Sequence, residues 1–154
     1  MRQLSLSFFL KEDQILLAMK KRGFGVGKWN GYGGKCLEGE SVGQAAVREI
    51  EEESGLIVRT EQLNHRGSLQ FYFPHKPEWT QEVHIFTISE CDREPIETEE
   101  MKPQWFSLEE IPYASMWQDD AHWLPLVFKG CRIEGQFTFD ATNEDIAHWE
   151  VREI

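Results

Sequence analysis

Four glutamates, Glu49, Glu51, Glu52 and Glu53, crowd the end of a segment that reads as a helix from start to stop. Ser41 and Gln44 make a capping-box start, and Gly55 makes a left-handed stop. The acids therefore sit at the C-terminal turns, where the helix dipole is already negative. Each costs a few tenths of a kcal/mol or more, and their mutual repulsion adds to this. A divalent cation would turn that repulsion into coordination. At 100° per residue, Glu49, Glu52 and Glu53 share one flank spanning roughly 100°, while Glu51 points elsewhere. Ala45, Ala46, Val42 and Ile50 lie on or beside that flank, so the three carboxylates border the buried face. Arg48 stands four residues before Glu52 and is placed to orient it. Three convergent oxygen donors suit Mg²⁺ or Mn²⁺. A solvated acidic face is the competing reading, and the helix alone does not choose between them.

The preceding loop, Trp29-Asn30-Gly31-Tyr32-Gly33-Gly34-Lys35, favours the metal. Its glycines allow close approach to a ligand and offer N–H groups to phosphate. Loop and helix together fit Gly-x5-Glu-x7-Arg-Glu-U-x-Glu-Glu-x-Gly-U, with U a bulky aliphatic residue. Gly34, Glu40, Arg48, Glu49, Ile50, Glu52, Glu53, Gly55 and Leu56 fill every fixed position. This pattern resembles the Nudix box. The resemblance implies a hydrolase that cleaves a nucleoside diphosphate linked to another group. A Walker A loop is absent.

Further stretches are similar to one Nudix subgroup, the oxidised purine nucleoside triphosphatases, functionally akin to bacterial MutT. They are Met19 to Gly25, Trp29-Asn30-Gly31, Glu100 to Pro103, Ile111-Pro112 and Met116 to Asp120. The resemblance implies Mg²⁺-dependent hydrolysis of 8-oxo-dGTP, 2-oxo-dATP and related nucleotides to the monophosphate and pyrophosphate, which cleanses the nucleotide pool and prevents DNA damage. It further implies that Trp117 stacks on the base and Phe24 closes the other side. Asn30, Asp119 and Asp120 would read the base edge, with Ser5 and Lys20 in the pocket wall. The resemblance also implies that one of these two adjacent acids holds its proton and donates while the other accepts, and that exchange of the proton admits differently substituted purines; spacing does not show it. Without the resemblance, Asp119 and Asp120 read more often as an N-cap pair and Trp117 as a core aromatic. Gln118 stands where the subgroup pattern carries proline, which puts the hold on the two acids in question.

The triphosphate is expected along Gly33 and Gly34, with metal at Glu49, Glu52 and Glu53. Gly33 and Glu100 complete the metal set by resemblance. Glu53 or Glu52 is expected to act as base or to orient water. Glu40 is expected to fix the loop or pair with Arg48. ADP-ribose, dinucleoside polyphosphates, capped RNA and unmodified dNTPs remain alternative substrates for the same box. A non-catalytic nucleotide-binding module is the other alternative.

These residues need a scaffold. Residues 3–10 and 14–20 read as a hairpin, with a short strand near 33–36 and the helix over 42–54. Strands are expected at 56–60, 65–74 and 81–90, around Trp105-Phe106, and at 131–139 and 147–153. Residues 91–102 read as a loop. A second helix is expected from Asp119 or Asp120 to about Lys129, weakened by Pro125. Mixed strands with two helices give an α/β fold, and the resemblance implies a Nudix α/β/α sandwich around a curved mixed sheet. The 154 residues suit one domain, 1–154. A net charge of −11 argues against long nucleic acid as partner and makes an anionic substrate depend on cations. Cys36, Cys91 and Cys131 show no metal spacing, which suggests reduced thiols and a cytoplasmic location. No segment is long and apolar enough to span a membrane or reads as a signal peptide. A monomer is expected, with a small nucleotide as its ligand.

Overall fold

A computed structural model describes all residues from Met1 to Ile154. The expected N-terminal hairpin forms β1 (Arg2–Lys11) and β2 (Gln14–Lys20). The two strands pair only where Phe9, Leu10 and Lys11 face Leu16, Ile15 and Gln14. Beyond that short ladder they part. The Gly-rich segment fills the fork with β3 (Trp29–Asn30), which pairs with β2, and β4 (Tyr32–Lys35), which pairs with β1. Two of its glycines are dictated by this wedge. A Cβ at Gly31 would lie 2.5 Å from the Ser7 carbonyl oxygen, and one at Gly33 would overlap the Ser5 carbonyl.

The rest of the sheet is laid down by β5 (Asn64–Tyr72), β6 (Gln81–Ile88), β7 (Met101–Ser107), β8 (Ile133–Phe139) and β9 (Ile146–Glu153). The strand order is β3-β2-β1-β6-β5-β8-β9, with β7 on β2 and β4 on β1. The β1–β6 and β5–β8 pairs are parallel and the others antiparallel, so the sheet is mixed. The helix α1 (Val42–Ser54) covers one face and α2 (Asp120–Phe128) the other. Alternation along β1 sorts its residues between the two layers. Phe8 joins Trp123, Leu124 and Val127 of α2, whereas Phe9 joins Ile50 of α1.

Three expectations about elements are corrected. Residues 56–60 form no strand. Leu56 and Val58 are buried beneath α1, but the chain passes on into a 3₁₀ turn, Thr60–Gln62, without a neighbouring strand edge to pair with. The strand around Trp105 begins earlier, at Met101, and takes in Pro103 on the outer edge of β2, where a missing N–H is tolerated. Trp29–Asn30 forms a strand too short to leave a periodic signal.

Candidate active site

Ser41 and Gln44 close the capping box. Gln44 N–H donates to Ser41 Oγ at 3.1 Å, and Ser41 N–H donates to Gln44 Oε1 at 2.9 Å. Gly55 ends α1 in the left-handed region with φ 75°, its N–H donating to Glu51 O. No basic residue occupies the last turn, so the acids there meet an uncompensated helix end.

The three acids have separate environments. Glu53 is buried, 7% exposed, and accepts a hydrogen bond from Gly33 N–H at 2.9 Å. Burial pushes its carboxyl up to about 8; the Gly33 bond opposes this, and the Glu49 charge adds to it. Glu49 is raised too, first by burial, against the pull of Arg48. Its carboxylate rests on Gly34, where a Cβ would lie 2.5 Å from Glu49 Oε1. Glu52 is exposed and pairs with Arg48 at 3.4 Å.

Arg48 ties this set to the loop. It grips Glu40 with two bonds of 2.8 and 3.0 Å, reaches Glu49 at 3.0 Å, and donates to Lys35 O at 3.0 Å. Glu40 also accepts Leu37 N–H, and these bonds hold its carboxyl down at about 2, Arg48 contributing most. Glu40 thus both fixes the loop and pairs with Arg48. Glu100 meets Arg22 at 3.6 Å, and its charge is among those raising Glu49 and Glu53. No three acidic, histidine or cysteine side chains form a ready cage for a metal ion. Arg48 engages Glu49 and Glu52, and Gly33 N–H engages Glu53. The donor set is all oxygen and carries surplus negative charge, which fits a hard divalent cation.

A pocket of about 300 Å³ lies among residues of β1 to β6 and the segment entering α2. Its lining runs from Glu53, Gly33 and Gly34 to Trp117, Asp119 and Asp120, and includes Ser5, Lys20, Phe24 and Asn30. The expected substrate-binding residues are therefore gathered in one cavity, which is small but within the range of ligand sites. Ser5 is buried, and its hydroxyl has no partner. Asn30 Oδ1 accepts Gly31 N–H at 2.8 Å, which orients its amide.

Asp119 and Asp120 are both buried, 6% and 2% exposed. The N-cap alternative does not hold: Asp119 makes no side-chain cap bond. Its Oδ2 instead accepts Trp123 Nε1–H at 2.8 Å. Asp120 Oδ2 has no partner. Burial raises both carboxyls, Asp120 further because the Asp119 charge adds to its desolvation. The pair therefore favours a single negative charge shared between the two carboxyls.

Phe24 and Trp117 are not opposite walls of a slot. Their rings stack on each other, 5.2 Å between centroids at 26°. Phe24 is itself 76% exposed. Several lining residues left no local signal in the sequence. Phe71, Phe73 and Phe139 read as strand core, Asn143 as a turn residue, and Lys28, whose Nζ lies 4.9 Å from the Trp117 ring centroid, as a loop charge.

The chain is similar to known proteins over nearly its full length. The NUDIX domain model matches residues 1–149. The chain is 44% identical over 153 residues to the oxidized purine nucleoside triphosphate hydrolase of Mus musculus, covering 99% of this chain and 96% of the relative. It is 45% identical over 145 residues to that of Danio rerio, covering 94% and 91%. The crystal structure of a mutator MutT protein from Bacillus halodurans superposes with a TM-score of 0.84 at 22% identity, over 98% of this chain and 97% of that one.

Proposed function

Because the chain belongs to the Nudix family, we propose that it hydrolyses oxidised or otherwise modified purine nucleoside triphosphates to the monophosphate and pyrophosphate. The carrying observation is one pocket lined both by Glu53 of the loop-helix motif and by the buried Asp119–Asp120 pair. Glu49, Glu52 and Glu53 would hold Mg²⁺ or Mn²⁺, with the Gly33 backbone and Glu100 beside them. A divalent cation there neutralises phosphate charge and lowers the pKa of a bound water.

The chain's own groups do the rest. Gly33 and Gly34 bring backbone close to the phosphates, with Lys20 in the same wall. Glu40 and Arg48 hold the helix acids against the loop. Glu53, raised towards neutral pH by burial, is matched to accept a proton from attacking water. At the α2 end, a protonated Asp120 donates and an ionised Asp119 accepts at the base edge. Transfer of that proton between them would admit differently substituted purines. Trp117 supplies the stacking surface.

The three free cysteines favour a reducing, cytoplasmic setting. No helix is long and apolar enough to cross a membrane. We take the chain to act as a single-domain monomer on a small nucleotide.

Pyrophosphate release with Mg²⁺ tests this on 8-oxo-dGTP, 2-oxo-dATP, dGTP, dATP and ADP-ribose. Preference for the oxidised purines is expected. Turnover of ADP-ribose or ordinary nucleotides alone would keep the helix acids and discard the base pocket. No turnover on any of them would point to a binding module.

A further inference from the structure

The loop joining β8 to β9, Asp140 to Asp145, reaches the base end of the pocket. It is tied internally: Asn143 N–H donates to Asp140 O at 3.0 Å and Asp140 N–H to Asp145 O at 2.9 Å. Thr142 N–H donates to Asp140 Oδ1 at 2.9 Å. This places Asn143 in the left-handed region with φ 61°, a conformation asparagine accepts more readily than most residues. Asn143 lines the pocket, and its side-chain Oδ1 is buried with no hydrogen-bond donor. An unpaired buried amide oxygen is costly, and proteins rarely leave one without a purpose. Asp120 Oδ2 and Ser5 Oγ are unpaired in the same pocket.

Gln118 accounts for the position of this loop. It lies between Trp117 and Asp119 in the chain. Its Nε2 donates to Asp145 Oδ1 at 2.8 Å, and its Oε1 accepts Ile146 N–H at 3.3 Å. One amide thus fastens the hairpin to the segment that carries the stacking ring and both acids. A proline at this position would have no side-chain amide to make either bond.

On the basis of the proposed purine pocket, we infer that Asn143 is a further specificity-determining residue, its Oδ1 accepting an N–H of the modified base, and that Gln118 is the positioning residue that holds it there. An acceptor at this point favours a base presenting N–H over one presenting a bare ring nitrogen. Oxidation of a purine to its 8-oxo form makes that change at N7.

Steady-state kinetics of Asn143→Gly test this, because glycine adopts the same φ and removes only the amide. The KM for 8-oxo-dGTP should rise roughly three- to tenfold with kcat kept, and the KM for dGTP should move less. Gln118→Ala, outside the pocket, should give the same split, and the double variant should show no further rise. Thermal melts identify folded variants, and Gln118→Ala carries the test if Asn143→Gly does not fold. An unchanged KM in folded variants, or a fall in kcat at constant KM, overturns the role of Asn143. Additive effects in the double variant overturn that of Gln118. If wild type turns over no modified purine triphosphate, the proposed function has failed and the inference fails with it. Turnover by wild type with an unchanged Asn143→Gly profile sinks the inference alone.

Discussion

Glu53→Gln, studied without divalent cations, isolates the charge that α1 buries. The Glu53 carboxyl is moved from an ordinary 4.5 to about 8, by burial first and then by Glu49, with the Gly33 N–H pulling the other way. A folded-state value above the unfolded one leaves stability intact at low pH. Stability is then lost as pH rises from about 4.5 through about 8. A shift of this size links to a loss of roughly 3–5 kcal/mol once the group is fully ionised. Glutamine keeps an oxygen to accept Gly33 N–H and has nothing to titrate. Urea unfolding in EDTA at pH 5 and pH 9 should therefore show wild type losing several kcal/mol more than Glu53→Gln. Millimolar Mg²⁺ at the higher pH should restore wild type and leave the variant largely unmoved. Turnover of the variant should fall by about 10²-fold or more, as for loss of a general base. Parallel pH–stability curves for the two proteins would refute the reasoning, since the buried carboxyl would then carry no displaced proton.

Tyr32 is fully buried and its hydroxyl has no partner, so Tyr32→Phe should leave stability unchanged or raise it by about 1 kcal/mol in chemical denaturation. A loss of that size would reveal a partner for the hydroxyl. Gly33→Ala should cost at least about 2 kcal/mol in the same assay, because the new methyl meets the Ser5 backbone and not a side chain that can turn away. Arg48→Lys cannot reproduce the two-bond grip on Glu40. The Glu40 carboxyl, lowered to about 2, should then titrate closer to 4.5 by NMR, so that the support it gives would be lost at a higher pH on acidification. Asp120→Asn mimics the protonated acid, so it should keep stability at pH 7 within about 1 kcal/mol of wild type. It should also narrow the range of purines hydrolysed in the pyrophosphate assay; an unchanged range would remove proton exchange from the pocket.

Much of this was legible along the chain because its cause is local. Ser41, Gln44 and Gly55 mark α1 through bonds within a turn, and 100° per residue puts Glu49, Glu52 and Glu53 on one flank. Alternation in β1 already separates residues for the two faces of the sheet. Tertiary structure decided what lies across the fork. Leu56, Ile57 and Val58 read as a strand, yet they find no edge to pair with. Glu53 and Glu52 are neighbours of like chemistry, but only the packing of α1 on β1 and β4 buries one and exposes the other, and that difference sets which of them is displaced towards neutral pH. Phe24 and Trp117 come together as a stack through a loop fold with no periodic signature. Asn143 and Gln118 are 25 positions apart, so no spacing rule connects them. Gln118 reaches Asp145 and Ile146, just beyond Asn143, because β8 and β9 pair in a register that sets their connecting loop beside the N-terminus of α2. Local spacing fixes the geometry within a turn or a strand, whereas a pocket closes through contacts whose sequence separation is set by strand order.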